Sequence, residues 1–163
     1  MKKILLVAFL FLGGRTAVIS QSPDTQVGRL RDLTGKQVIA STFDNAGKPY
    51  IICFWSRANA DSYRFLSKMN ELYKSWQEQT GVKLITVAVD EATGSDKISP
   101  FIQAKGWKYE NYIDEEQGYK KLMNVYDIPH IFVFNGKKEL ILQLSAYQEG
   151  DELAIFTALN DAQ

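Results

Sequence analysis

Two apolar runs constrain this chain more than any other feature. Tyr50 to Trp55 (YIICFW) and Val82 to Val89 (VKLITVAV) are rich in β-branched and aromatic residues and lack polar alternation. A strand with one wet face alternates apolar and polar residues, so such runs read as strands covered on both faces. Between them, Phe65, Leu66, Met69, Leu72, Tyr73 and Trp76 form one apolar stripe at helical period, and Gly81 closes the pattern. Buried strand, amphipathic helix, buried strand is the beginning of a layered α/β domain.

The rest of the chain continues the alternation. Gln37 to Thr42 is a short strand candidate, and Asp44 to Pro49 is a turn. Ser99 to Lys105 reads as a short helix with Pro100 in its first turn. Glu110 to Ile113 reads as a strand, and Gln117 to Tyr126 as a helix carrying Tyr119, Leu122, Met123 and Tyr126 on one face. His130 to Phe134 and Leu140 to Leu144 are strands, with Asn135-Gly136 as a hairpin signal between them. Gly150 to Leu159 is a closing helix with Leu153, Ile155, Phe156 and Leu159 inward. Strands separated by helices, ending in a hairpin and a helix, indicate one α/β sandwich.

The start of the chain stands apart. Lys2 and Lys3 precede an unbroken apolar run, Ile4 to Leu12, and Gly13-Gly14 follows it. That is the pattern of a secretory signal peptide, cut after Ser20. The run is too short for the roughly 20 residues of a bilayer-spanning helix. Residues 1–20 are therefore expected to be a leader and residues 21–163 an exported domain, periplasmic or secreted, with no membrane span. The whole chain balances 19 Lys+Arg against 19 Asp+Glu; loss of Lys2, Lys3 and Arg15 leaves a charge of −3. Neither value is a footprint for nucleic acid. One cysteine cannot make an intramolecular disulfide or a cysteine-based zinc cluster. No metal and no cofactor are expected.

In this order and spacing, the segments resemble the thioredoxin-like fold, and more narrowly the exported TlpA-like thiol–disulfide oxidoreductases of redoxin type. Leu33-Thr34-Gly35-Lys36 resembles the family's opening hairpin. Lys48-Pro49 leading into Ile51-Ile52-Cys53-Phe54-Trp55 resembles the strand before its active site, and Val87-Ala88-Val89-Asp90 its next central strand. Val125-Tyr126-Asp127-Ile128-Pro129 resembles the stretch bearing its cis-proline. The resemblance implies a central mixed sheet flanked by helices. It also implies a loop before Pro129 whose backbone meets an extended partner chain near Trp55, Arg57, Ala58, Asn59, Ile128 and His130.

The active-site motif departs from the family. Where the family has Phe-Trp-Ala-x-Trp-Cys-x-x-Cys, this chain has Phe54-Trp55-Ser56-Arg57-Ala58-Asn59-Ala60-Asp61-Ser62. Asn59 and Ser62 stand in place of the two cysteines. Dithiol chemistry needs a thiolate at a helix start and a second thiol one turn on. Asn59 instead suits an N-cap, with Asp61 complementing the helix dipole. The lone Cys53 lies in the strand run, six residues before Asn59. It reads as a buried small hydrophobe, since reactive thiols need exposure and positive surroundings.

No catalytic residue is therefore assigned. The expected function is redox-inactive binding of a protein or peptide at the degenerate groove. The alternatives are a thiol–disulfide oxidoreductase, as the family implies, and a structural subunit of an exported assembly. A Ser62, His130 and Asp61 hydrolytic set has the right residue types, but Asp61 and Ser62 are adjacent on one helix, a poor arrangement around a histidine base. His130 reads as a partly exposed strand-start residue, and Asp90-Glu91 as solvated loop acids rather than a cation site. Trp55 fits either a recognition surface with Ile128 and Tyr147 or the edge of the core.

Overall fold

The computed structural model describes residues 28–90 and 96–162. The leader at residues 1–20 and Glu91 lie outside them. The elements run in the order β1 (Arg29–Asp32), β2 (Gln37–Ile39), β3 (Tyr50–Trp55), α1 (Ala60–Thr80), β4 (Lys83–Ala88), α2 (Ile98–Lys105), β5 (Glu110–Ile113), α3 (Gly118–Leu122), β6 (His130–Phe134), β7 (Leu140–Leu144) and α4 (Asp151–Asp161). Among the described residues, seven strands form one sheet in the order β2-β1-β5-β4-β3-β6-β7. The central β5, β4 and β3 are parallel; β1 and β2 on one flank and β6 and β7 on the other are antiparallel. This is the mixed thioredoxin-like sheet with helices on its faces.

The two long apolar runs become the two most buried strands. All six residues of β3 are buried, because β3 lies between β4 and β6 and is covered on both faces. Successive side chains of β3 point to opposite faces. Ile51, Cys53 and Trp55 pack against Phe65, Leu66, Met69 and Trp76 of α1, Ile98 and Ile102 of α2, and Ile155 and Leu159 of α4. Ile52 and Phe54 join Leu30, Ile85, Val87, Phe132 and Tyr119 in a second core on the other face.

Helix α1 realises the stripe from Phe65 to Trp76 and stops where Gly81 adopts φ +68, donating its N–H to the Gln77 carbonyl at 2.9 Å. Left-handed backbone is where glycine is cheapest. A Cβ there would also sit 2.7 Å from Lys48 Cδ.

Three local expectations change. The helix around residue 120 ends at Leu122, because Asn124 turns to φ +52 and carries the chain outward. Tyr126 is thereby 83% exposed rather than inward. Leu153 of α4 faces solvent, and its place on the inner stripe is taken by Glu152, whose carboxylate accepts the buried Tyr147 hydroxyl at 2.5 Å. The Asn135-Gly136 pair opens a loop over 135–139 instead of forming a two-residue turn. Asn135 Oδ1 accepts the Lys137 and Glu139 N–H groups at 2.9 and 3.0 Å, and the positive φ falls on Lys138. Gly136 is there for close approach: a Cβ on it would lie 1.9 Å from the Gly47 carbonyl oxygen.

Candidate functional site

Strand β3 ends at Trp55, and a short loop leads into α1. Asp90, just beyond β4, anchors that loop: its carboxylate accepts the Ser56 hydroxyl at 3.3 Å and the Arg57 N–H at 3.0 Å. The Ser56 hydroxyl oxygen in turn accepts the Ala58 N–H at 3.2 Å, and the Ser56 carbonyl accepts the Asn59 N–H at 3.1 Å. Every turn of the loop is thus held by a side chain or backbone partner. Asp90 is 9% exposed and serves as this anchor rather than as a solvated acid. Neither Ser56 nor Asp90 stood out in the sequence as part of the site, because their contact spans 34 positions.

Asn59 is the N-cap of α1. Its Oδ1 accepts the Ser62 N–H at 2.8 Å, as a good cap residue does. Its Nδ2 donates to the Ile128 carbonyl at 3.0 Å. One side chain therefore joins the helix start to the segment before Pro129, whose bond to Ile128 is cis. Asp61 lies in the first turn and pairs with Arg64. Ser62 is fully buried, and its Oγ accepts the Ser56 N–H at 3.4 Å. It has no open face from which to attack a substrate.

Cys53 is fully buried in β3, flanked in register by Thr86 and Ile131. Burial pushes its thiol far above the ordinary range, because a thiolate there would be charge in an apolar core. It supplies neither a nucleophile nor an accessible sensor.

His130 pairs in register with Phe54, so its side chain shares the face of Phe54 and Phe132, opposite α1. Its ring stacks on Phe132 with centroids 4.7 Å apart and is 5% exposed. This corrects the expectation of a partly exposed residue. Nε2 lies 2.8 Å from Gln143 Nε2; since the amide NH2 only donates, that ring nitrogen accepts. Burial lowers the histidine's pKa and favours this neutral form. The sheet separates the ring from Asp61 and Ser62, so these three residues form no hydrolytic set.

Trp55 is also settled. It is 1% exposed, packed against Phe101 and Trp107 at 6.0 and 5.4 Å between centroids, and belongs to the core. Tyr147 is likewise buried. What remains at the surface is Arg57 and Ala58, half-buried Asn59 and Ile128, and the exposed Tyr126 and Asp127. Tyr126 was missed because the helical phase from Tyr119 placed it inward. The strongest signal for it was its place two residues before Ile128-Pro129.

Other surface features lie elsewhere. A groove of about 980 Å³ sits at the opposite end of α1, between Lys48, Thr80, Gly81 and Gly136. Among the described residues no three His, Cys, Asp or Glu side chains gather to hold a metal ion, and no helix is long and apolar enough to cross a membrane.

A family model described as the AhpC/TSA family matches residues 19–143. No curated protein matches the chain. Among solved structures, an uncharacterized thioredoxin-like protein of Porphyromonas gingivalis is 34% identical, with a TM-score of 0.73 over 82% of this chain and 88% of that one. A Chlorobium tepidum protein assigned as the thiol:disulfide interchange protein DsbE is 20% identical, with a TM-score of 0.70 over 82% and 91%. A secreted disulfide oxidoreductase of Mycobacterium tuberculosis is 15% identical, with a TM-score of 0.65 over 82% and 94%.

Proposed function

The chain belongs to the AhpC/TSA family, and from that membership we propose that it is a redox-silent member that binds a protein or peptide segment where α1 begins. The observation that carries this reading is the Asn59 side chain, which holds the Ser56–Asn59 loop against Ile128 without any thiol. The partner groove that the resemblance implies would lie at this junction, which carries no reactive thiol. Its rim carries Arg57, Ala58, half-buried Ile128 and Tyr126, an aromatic ring left 83% in solvent. Exposed aromatic and arginine side chains are the residue types that anchor partners most often.

A thiol–disulfide oxidoreductase, the alternative that family membership suggests, would have to work through Cys53. That thiol is fully buried and its pKa is raised by burial. We further propose that residues 1–20 direct export and that residues 21–163 act as one domain in the periplasm or outside the cell. One structural neighbour, the Mycobacterium tuberculosis oxidoreductase, is itself secreted.

A photo-crosslinking residue at Ala58, compared with one at Gln79 at the other end of α1, tests the reading. Mixed with the exported fraction of the source cells, the Ala58 position should yield a discrete adduct and the Gln79 position should not. Equal labelling at both, or reduction of insulin disulfides by the native chain, would overturn it.

A further inference from the structure

We propose that Asn59 is a latch on the binding groove: its side-chain amide occupies the backbone carbonyl that an incoming extended segment must use. This rests on the binding reading above and adds how docking is controlled.

An extended chain that pairs with a single residue uses both of that residue's backbone groups, its N–H and its C=O. At Ile128 these two groups are in different states. The N–H has no partner among the described residues. The carbonyl accepts Asn59 Nδ2 at 3.0 Å. A carboxamide is chemically a piece of peptide, so Asn59 presents to Ile128 the same N–H donor that a docking strand would present. The closed groove thus mimics half of its own occupied state.

The latch is built to open. Asn59 and Ile128 are both half-buried, so water can reach the Nδ2 group once it lets go. The helix start does not depend on that contact, because Oδ1 alone caps Ser62. Exchanging one amide–carbonyl bond for another is nearly balanced in free energy, so the competition weakens docking without forbidding it. A segment that cannot donate at this point gains nothing from opening the latch. The geometry therefore favours an extended partner with a free backbone N–H facing Ile128.

A tethering experiment separates the latch from the docking site. Ala58 is exposed and adjacent to Asn59, so A58C places a thiol beside the groove, while Cys53 stays buried. The probe is acetyl-Ala-Ala-Cys-Ala-Ala amide, exchanged onto that thiol against β-mercaptoethanol. Its backbone N-methylated counterpart and cysteamine are run beside it. In A58C/N59S the serine still caps α1 but does not reach Ile128. That variant should retain the unmethylated peptide roughly two- to tenfold more strongly than A58C, the range expected for one hydrogen bond. A58C/N59D, which keeps an acceptor and loses the donor, should move the same way. The methylated peptide should show no gain in either variant.

If the unmethylated peptide outperforms cysteamine but gains nothing from N59S or N59D, or if the methylated peptide gains equally, docking stands and the latch is overturned. If the peptide never outperforms cysteamine in any variant, the docking reading falls and the latch falls with it.

Discussion

Cys53 and Asn59 are six residues apart and occupy opposite environments. Cys53 sits mid-strand between two neighbouring strands, with no exposure. Asn59 sits at the first free N–H groups of a 21-residue helix, half in solvent. The second place lowers a thiol's pKa and exposes it; the first raises the pKa and hides it. The thiol is in the place that silences it, and the activating place holds an amide. Reactivity in this fold belongs to the position, and the residue at that position decides whether it is used.

The sharpest way to break this comparison is to move the thiols. N59C/S62C should reduce insulin disulfides, whereas the native chain should stay at background in the same turbidity assay. In its reduced form the variant should be less stable by about 1 kcal/mol, the worth of a good N-cap, as read from urea midpoints. Failure to gain activity in a folded variant would mean that the surrounding loop, held by Asp90, also blocks the chemistry.

Next in size is the silence of Cys53. In the native chain it should react with a thiol reagent at least ~1,000-fold more slowly than in denaturant, because labelling must wait for the core to open. Stopped-flow labelling with and without urea reads this directly. Fast native labelling would undo the contrast.

A smaller effect separates the two bonds of Asn59. N59A should cost about 1–2 kcal/mol, the cap plus the bond to Ile128. N59S should cost less, since it retains a capping oxygen. Equal losses would mean that the cap contributes nothing.

The smallest effect concerns His130, level with Phe54 on the face opposite α1. Its pKa is lowered in the folded state by burial, so the unfolded chain binds the proton more readily. Its contribution to stability is full above the unfolded value of about 6.5 and is lost as pH falls through and below it. H130F, which keeps the stack on Phe132, should remove that component. Urea midpoints at pH 7.5 and 5 for both chains measure the difference between them; identical pH dependence would show that the ring titrates freely.

Much of this molecule was legible along the chain. The strands β3 and β4 announced themselves because burial on both faces leaves no room for polar alternation. The helix between them and its stop at Gly81 follow from local periodicity and backbone freedom. Asn59 as a cap was legible because its partner, Ser62, is three residues away.

Contacts between distant segments were decided only by the tertiary structure. The Asn59 bond to Ile128 spans 69 positions, and the Asp90 bond to Arg57 spans 33. Which face of the sheet receives His130 depends on the register of β6 against β3, and one step would have moved it to the other face. The exposure of Tyr126 hangs on one left-handed residue, Asn124, that interrupts a pattern otherwise fit for a helix. Sequence by itself determined the layers and the absence of a reactive thiol pair, because these follow from residue type and local spacing. Tertiary structure decided which side chains meet where α1 begins, because that meeting is set by strand order and register.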